Sequence, residues 1–569
     1  MYHQDSIEND YDYPYYQQDA ESDVRVVIDL DFERQQQSYK MNDAVKSFIT
    51  HFYRSIQNAK IFEITHDYEY GWNMLSEQYF KTTTWPSVES IESMIPNESM
   101  KSIFLILYKE MYFRHIYASL QGGPTLEHRF ESYRNYVQLF NAILSAERPL
   151  DLELPIQWLW DIIDEFIYQF QSFCQYRAKQ VKKGTNAPPN VVEEIQMLKQ
   201  NIDVWNVHSV LNVLHSLVSK SNINKQLEVL KHATLSLTIA NPSGNIDQSQ
   251  FSKHQQELLM DLENDLFAQS SLYKMLGYFS LVGLLRLNSL FGDYYLAINA
   301  MQFVELDIHK QLLIARVPSC IITTCYYVGF AYLMMRRYED AIKVFVDALI
   351  YIQRTRTMLQ APTRSLLNDM ISKQNEQIFY LLTIALNFYP MRIDDSINSY
   401  LKEKYSERLL KLQRGDRDEL VNMFHYACPK FLSPVPPNFE GVTDQYLMEP
   451  YNQQLKVFLD EVNQQLLISD IRSFLKLYTT LPISKLASFI NKSPEELKSI
   501  LLCFKHKMSN IESDQVSEEF RSSSEVDFYI HNEMVHIADT KVATRFSDFF
   551  IRQIQKTNEI NTNLKMVPI

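Results

Sequence analysis

The chain has 569 residues, with 69 acidic and 55 basic side chains and a formal net charge of −14. Its 11 glycines are about 2% of the residues, against roughly 7% in average usage, so folds that need many left-handed turns or glycine-lined phosphate cradles are poorly supplied. The acidic balance argues against a protein devoted to nucleic-acid binding, because phosphate contacts require clustered Lys and Arg.

The cysteines and the apolar stretches indicate the cellular compartment. The five cysteines form no CxxC pair, which is typical of thiols kept reduced in the cytosol. Residues 1–23 are acidic and contain no apolar core, so they do not form a secretory signal. The densest apolar stretches, SIFLILY and FSLVGLLRL, are far shorter than the ~18 residues of a membrane span. We therefore expect a soluble cytoplasmic protein without a membrane partner.

The N-terminal half is predicted to be a tail followed by packed helices. Residues 1–35 are rich in Asp, Glu, Tyr and Gln without helical spacing, which predicts a disordered acidic tail. Apolar residues at helical spacing predict a helical region over 40–270, with insertions near 181–200 and 233–256. One helix carries an apolar stripe that needs a neighbouring helix, formed by Leu159, Ile163, Phe166, Phe170 and Phe173.

Residues 271–427 contain a helical repeat. The spacing of a tetratricopeptide-type hairpin is found at Gly329, Tyr332, Tyr338, Ala341, Phe345 and Ala348. A glycine inside a helix costs about 1 kcal/mol relative to alanine, so Gly329 needs a packing reason, and close approach of two helices supplies one. The upstream residues Gly292, Tyr294 and Ala297 match, at one constant offset, Arg336, Tyr338 and Ala341. These matches predict a TPR-like solenoid of stacked helical repeats.

Residues 450–540 are predicted to form a winged helix. Three short helices come first, and the third begins at the capping box SPEE. After a polar loop, the alternating segments EVDFYI at 525–530 and VHIAD at 535–539 predict a β-hairpin. Residues 541–569 continue as a C-terminal helix and tail. The predicted fold is thus mainly α, with stacked helical repeats that end in a winged helix and a C-terminal helix.

Acidic residues on one helix are the strongest candidates for chemistry. Asp161, Asp164 and Glu165 have the spacing that can bring carboxylates together for acid–base catalysis. They lie opposite the apolar stripe, so we interpret them as a solvated face. The chain contains no HExxH, GxSxG, GxxxxGK[ST] or GxGxxG sequence. We therefore predict no enzyme activity, no catalytic or metal-binding residues, no cofactor and no small-molecule substrate.

The third helix of a winged helix can read nucleic acid. Here it carries Lys498, Lys505 and Lys507, which are candidates for RNA contact. Cations near the end of a helix also complement its dipole, so they need no nucleic acid to explain them. Protein interaction is the preferred interpretation, because a two-stranded wing leaves an open edge that can pair with another chain.

The sequence resembles the PCI-domain family, which is shared by the proteasome lid, the COP9 signalosome and the third eukaryotic translation initiation factor. In that resemblance the PCI domain covers about 330–540. Long ungapped segments look like one subunit of the initiation factor and span most of the chain from about residue 100 to 555: LELPIQWLWDIIDEFIYQFQSF, VWNVHSVLNVLHSLVSKSNIN, SLYKMLGYFSLVGLLRL, YYVGFAYLMMRRYEDAI, CPKFLSPV, IRSFLKLYTTLPISKLA, EVDFYI and HIADTKVATRFSDFFIRQI.

The resemblance implies a non-catalytic scaffold subunit of translation initiation factor 3, which binds the small ribosomal subunit and promotes mRNA recruitment and scanning. The implied partners are other subunits of the factor, notably K and E, and the small ribosomal subunit through the complex. In that family winged helices pair through their strands and C-terminal helices form a bundle. Carried onto this sequence, the protein interface would comprise Val526, Phe528, Ile530, Val535, Ile537, Val542, Phe546, Phe549, Phe550 and Ile554.

The residues alone leave alternatives open. Composition and spacing fit equally well a PCI scaffold subunit of a proteasome-lid or signalosome-type complex. They also fit a helical adaptor with a nucleic-acid-binding winged helix. An enzyme with an unrecognised site is the third alternative, and Asp161, Asp164 and Glu165 would then be the first residues to replace.

Overall fold

The computed structural model describes residues 42–96, 100–119, 123–183, 189–239, 260–306, 316–359, 365–437, 439, 448–507, 509–514, 517–522, 526–538, 549–554, 556–557 and 560. The predicted acidic tail at 1–35 lies outside the described residues. The described part of the chain is mainly helical, as predicted, and its strands all lie near the C-terminus.

The N-terminal region is built from helices and contains one π-helical turn at Asp67–Gly71. The helices are α1 Asp43–Gln57, α2 Ile61–His66, α3 Trp72–Tyr79, α4 Val88–Glu92, α5 Lys101–Ser119, α6 Leu126–Leu144, α7 Ile156–Lys183, α8 Pro189–Gln200, α9 Val207–Ser221 and α10 Ile223–Ile239.

Helix α7 forms the centre of this region. The predicted apolar stripe is buried, which confirms that the helix packs against neighbours. Phe166 lies edge to face on Phe140 of α6, with ring centroids 4.8 Å apart. At the other end of α7, Trp158 stacks on Phe52 of α1 and on Tyr68. Burying each such side chain contributes on the order of 1.5–3 kcal/mol, so tertiary packing rather than helix propensity holds α7 in place.

The two segments predicted as insertions contain helical residues. Near 181–200, α7 continues to Lys183 and α8 occupies the rest from Pro189 onward. Proline is tolerated at the start of a helix because its missing N–H would have had no partner there. At 233–256, α10 extends to Ile239, and residues 240–259 lie outside the described residues.

The repeat region follows the N-terminal helices. Its helices are α11 Leu266–Gln269, α12 Ser271–Phe291, α13 Tyr294–Ala300, α14 Pro318–Met334, α15 Tyr338–Leu359, α16 Ser365–Phe388, α17 Asp395–Lys404, α18 Ser406–Gln413 and α19 Arg417–Ala427.

The close approach predicted at Gly329 is present between α14 and α15. A Cβ atom at Gly329 would overlap the ring of Phe345, which is fully buried against the glycine. The other residues of the predicted hairpin, Tyr332, Tyr338 and Ala341, are buried as well. Packing of the ring against bare backbone therefore explains why this helix contains a glycine.

The two copies of the repeat share the geometry of their turns. Gly292 and Arg336, which correspond at the offset read from the sequence, both have left-handed backbones, with φ of +82° and +66°. In the first turn Asp293 donates its N–H to the carbonyl oxygen of Asn288 at 2.9 Å. In the second, Arg337 donates its N–H to the carbonyl oxygen of Tyr332, also at 2.9 Å. This hydrogen bond is the one that closes a helix in the Schellman motif. The repeat found in the sequence is therefore also present in the structure, as two turns of the same geometry.

One long helix, α20 (Glu449–Leu475), connects the repeats to the C-terminal domain. In its first half Phe458 stacks on Phe424 of α19 with centroids 4.2 Å apart, and Val462 belongs to the large core. From Ile468 onward its apolar residues belong to a second, smaller core. The first of the three predicted short helices is thus the end of a continuous helix that joins two hydrophobic cores.

The second core lies in a winged helix formed by β1 Thr480–Pro482, α21 Ile483–Ile490, α22 Pro494–Lys507 and two later strands. The polar loop predicted after α22 instead contains a hairpin, β2 Ser509–Asp514 and β3 Ser517–Ser522. Its strands are largely polar and, within the described residues, pair with each other alone, which explains why hydrophobic alternation does not reveal them. The wing itself is β4 Asp527–His531 and β5 Met534–Ala538, and the antiparallel sheet has the order β1-β5-β4.

Candidate interaction surface on the winged helix

The wing hairpin turns through two residues. Asn532 and Glu533 connect β4 to β5 with φ of +45° and +59°, the combination found in a type I′ turn. In such a turn the flanking residues His531 and Met534 form the first hydrogen-bonded pair, and bonded and non-bonded pairs then alternate along the ladder. The turn therefore fixes which backbone groups face the neighbouring strand and which face away.

The side chains predicted for the interface divide into two groups. Val526, Phe528 and Val535 are 6%, 3% and 0% exposed and fill the core of the winged helix itself. Ile530 and Ile537 are half-buried and pack against that core. Pleated strands send alternate side chains to opposite faces, and this set lies on the inner face. Any partner of the hairpin would thus meet its backbone edge or its outer face, not these buried side chains.

The backbone edge of the sheet lies on β4. Strand β5 is central, between β1 and β4, so Val535 and Ile537 have strand neighbours on both sides. On the far side, β1 is three residues long and ends in Pro482, which has no N–H to offer. Within the described residues β4 pairs with β5 alone, and its other edge carries no strand.

The register identifies the groups on that edge. Tyr529 faces His536 in a bonded pair, so its N–H and C=O point toward β5. Phe528 and Ile530 stand in non-bonded pairs, so their N–H and C=O groups point outward to the free edge of β4. These outward groups are what a strand of another chain would bind.

The cations predicted for RNA contact have different surroundings. Lys498 is exposed on α22. Lys505 donates from Nζ to the carbonyl oxygen of Phe528 at 2.8 Å and lies 3.4 Å from Asp527 Oδ1. Lys507 ends α22, and its side chain lies outside the described set. One of the three ammonium groups is therefore bound to the wing of its own domain.

The C-terminal helix is described only in part. Residues 549–554 are helical, whereas Val542 and Phe546 lie outside the described residues. Phe549, Phe550 and Ile554 are more than half exposed, and Ile551 beside them is exposed as well. Large exposed apolar patches are typical of interaction sites, so these side chains remain candidates for one.

Sequence reasoning missed the outer face of the wing. Tyr529 is 58% exposed, and its ring stacks on the imidazole of His536, with centroids 4.9 Å apart. The alternation of EVDFYI already places Tyr529 on the face opposite Phe528 and Ile530, so its position on the outer face was predictable from the sequence. An exposed aromatic pair on an edge strand adds a side-chain contact next to the free backbone groups.

The acidic residues of α7 are not a solvated face, and that interpretation is wrong. Glu165 is buried and accepts a hydrogen bond from Gln169 Nε2 at 2.8 Å. Asp164 Oδ1 pairs with buried Arg286 at 2.5 Å. Because α7 is enclosed on nearly every side, even the positions opposite its apolar stripe contact other helices.

Asp161 belongs to a partly buried polar network between α7, α5 and the π-helical turn. It accepts hydrogen bonds from Tyr68 Oη at 2.5 Å and from Gln157 Nε2 at 2.9 Å. Arg114 lies between Asp161 and Glu110 and pairs with both. Burial raises the pKa of Asp161 to about 6, although Arg114 and the hydrogen bonds act in the opposite direction. These groups pair with one another, which is the arrangement of a structural network.

The described part of the chain lacks clusters of metal-binding side chains and membrane-spanning helices. No group of three or more His, Cys, Asp or Glu side chains there could hold a metal ion. No helix there is long and apolar enough to cross a membrane.

Comparison with known proteins identifies the family. The model of a family described as "RNA polymerase I-associated factor PAF67" matches residues 128–557. A protein of Danio rerio named "Eukaryotic translation initiation factor 3 subunit L" is 51% identical, and the alignment covers 99% of this chain and 95% of the relative. Relatives of the same name from Xenopus tropicalis and Homo sapiens are 52% and 51% identical over 94% of this chain and 94% and 93% of their own.

Identity of this degree over nearly the whole chain spans the repeats, the long helix α20 and the wing together. The chain therefore belongs to the family of eukaryotic translation initiation factor 3 subunit L.

Proposed function

We propose that this protein is a non-catalytic scaffold subunit of translation initiation factor 3 and works in the cytoplasm. The observation that carries the proposal is the similarity to relatives whose names assign them to that factor, at 51–52% identity. The three acids of α7 support the non-catalytic assignment, because each is already paired with groups of the fold.

In this proposal the helical regions 40–270 and 271–427 form the scaffold, and the PCI domain of about 330–540 ends in the winged helix of 450–540. The protein helps the factor to bind the small ribosomal subunit and to promote mRNA recruitment and scanning. Subunits K and E are its proposed neighbours. A rigid scaffold is supported by α20, which joins the two cores without a break.

Two surfaces are proposed to hold those neighbours. The free edge of β4 offers the outward backbone groups of Phe528 and Ile530 to a strand of another winged helix. The C-terminal segment 541–569 offers exposed Phe549, Phe550 and Ile554 to a helical bundle. The side chains of Val526, Phe528 and Val535 lie in the core of the winged helix and hold the strands of the first surface in place.

The first experiment is purification of the tagged, nuclease-treated protein from its own cells, with mass spectrometry of the stoichiometric partners. Recovery of initiation factor 3 subunits, with K and E prominent, is the expected result. Recovery of lid, signalosome or RNA polymerase I subunits, or of a lone 67.2 kDa chain, would contradict the proposal.

A matched pair of variants tests the edge of β4. Ile530→Pro removes an outward N–H, and proline is tolerated on an edge strand where that group faces away from the sheet. Ile530→Ala removes the same side chain but keeps the N–H. We expect Ile530→Pro to lose partner subunits that Ile530→Ala still recovers from the same cells. Equal recovery by both variants would show that backbone pairing at β4 does not hold the neighbour.

A further inference from the structure

We infer that Lys505 guards the free edge of β4, so that a partner strand must displace its ammonium group and a second copy of this chain is disfavoured. The inference rests on the proposed function for the kind of partner, a strand from another subunit. The guarding contact itself depends only on the winged helix.

The first observation is the position of the ammonium group. Lys505 reaches from α22 across to β4, where Nζ donates to the carbonyl oxygen of Phe528 at 2.8 Å. The carboxylate of Asp527 lies 3.4 Å away and adds a charge interaction. Both side chains remain half exposed, at 52% and 58%, so the contact is made at the surface. Lys505 is thus bound to β4 at an edge of the sheet that is exposed to solvent.

The second observation is the direction of that carbonyl group. Phe528 stands in a non-bonded pair with Ile537, so its C=O points away from β5 toward the free edge. An added antiparallel strand would use the same C=O to accept its own N–H. An ammonium group at 2.8 Å occupies that approach and repels the positive end of an incoming N–H dipole. Lysines on edge strands protect sheets from unwanted pairing.

The contact also discriminates between partners. If two copies of this chain paired their β4 edges around Phe528, both Lys505 ammonium groups would lose their hydrogen bond to the Phe528 carbonyl. A foreign strand displaces only one ammonium group, so pairing with a second copy breaks twice as many of these contacts. The edge is therefore guarded more strongly against its own copy than against a foreign strand.

The test measures self-association of the purified full chain by sedimentation velocity. Lys505→Met keeps the aliphatic stem and removes the donor and the charge. We expect it to dimerise about a hundredfold more tightly than the wild type, because the wild-type dimer gives up one charge-assisted hydrogen bond, worth about tenfold, in each of its two copies. Lys505→Arg keeps donor and charge and should behave as the wild type. Lys492→Met removes an exposed lysine elsewhere in the domain and should also leave self-association unchanged.

Two further variants show which surface is used. Asp527→Asn weakens the hold on the ammonium without changing Lys505, so it should shift self-association in the same direction by a smaller factor. Ile530→Pro added to Lys505→Met should abolish the new dimer, because the edge loses a donor. Equal self-association of Lys505→Met and wild type, or a dimer that survives Ile530→Pro, would overturn the inference. Neither result affects the proposed function, which depends on the subunits recovered from cells.

Discussion

At the scale of single residues, Asp161 shows how a partly buried charge is tolerated in this fold. Two carboxylates, Asp161 and Glu110, share the single cation Arg114, and Tyr68 completes the network with a hydrogen bond to Asp161. Burial dominates over these favourable contacts and raises the pKa of Asp161 from 3.8 to about 6. At neutral pH the carboxylate is therefore ionised at a cost to stability.

This raised pKa predicts a pH dependence. The folded chain binds the proton of Asp161 more tightly than the unfolded chain, so stability falls as pH rises from about 4 through about 6. Asp161→Asn does not titrate. The difference in unfolding free energy, variant minus wild type, should therefore be about 1 kcal/mol more favourable to the variant at about pH 7.5 than at about pH 5. Urea unfolding at the two pH values measures it. A difference that is the same at both pH values would contradict the raised pKa.

At the scale of elements, the wing hairpin carries strain in its turn. Type I′ turns need two residues with positive φ and prefer glycine at the second position, where this chain has Glu533. A left-handed backbone costs a residue with a side chain about 1–2 kcal/mol. The hairpin is therefore less stable than its strands alone would allow.

Glu533→Gly removes this penalty but gives the unfolded chain more conformational freedom. We expect the net effect to stabilise the wing by about 0.5–1 kcal/mol. The Tyr529 amide, which faces β5, should then exchange its hydrogen about two- to fivefold more slowly. Glu533→Ala removes the same charge but keeps the penalty, so it should give no such slowing. Equal rates in both variants would mean that the backbone of the turn is not strained.

The wing also shows where sequence reasoning ends. Alternation in EVDFYI was sufficient to predict the hairpin and its inner face, because a period of two reports which side chains are buried. It did not show that Val526, Phe528 and Val535 face the core of their own domain, since alternation does not identify what covers a face. Lys505 reaches Phe528 from a different element, so no local pattern could reveal that contact.

At the scale of the whole molecule, α20 is the feature that connects the helical repeats to the winged helix. Its residues Val462 and Ile468 belong to different cores although fewer than two helical turns separate them. The repeats were predictable because Gly329 and Gly292 impose packing and turn geometry that leave a trace in the sequence. The continuity of α20 was not predictable from the sequence, because the middle of the helix is polar and its two ends pack on separate cores.

Docking through β4 is tested by comparing hydrogen exchange in the isolated chain with exchange in the complex purified from its own cells. The amides of Phe528 and Ile530 point to the free edge of β4, so they should exchange quickly in the isolated chain. In the complex a docked strand should slow both by at least about tenfold. The amide of Tyr529 is bonded to β5 in either state and serves as the internal reference. Unchanged exchange at Phe528 and Ile530 in a complex that contains the initiation factor subunits would contradict docking through β4.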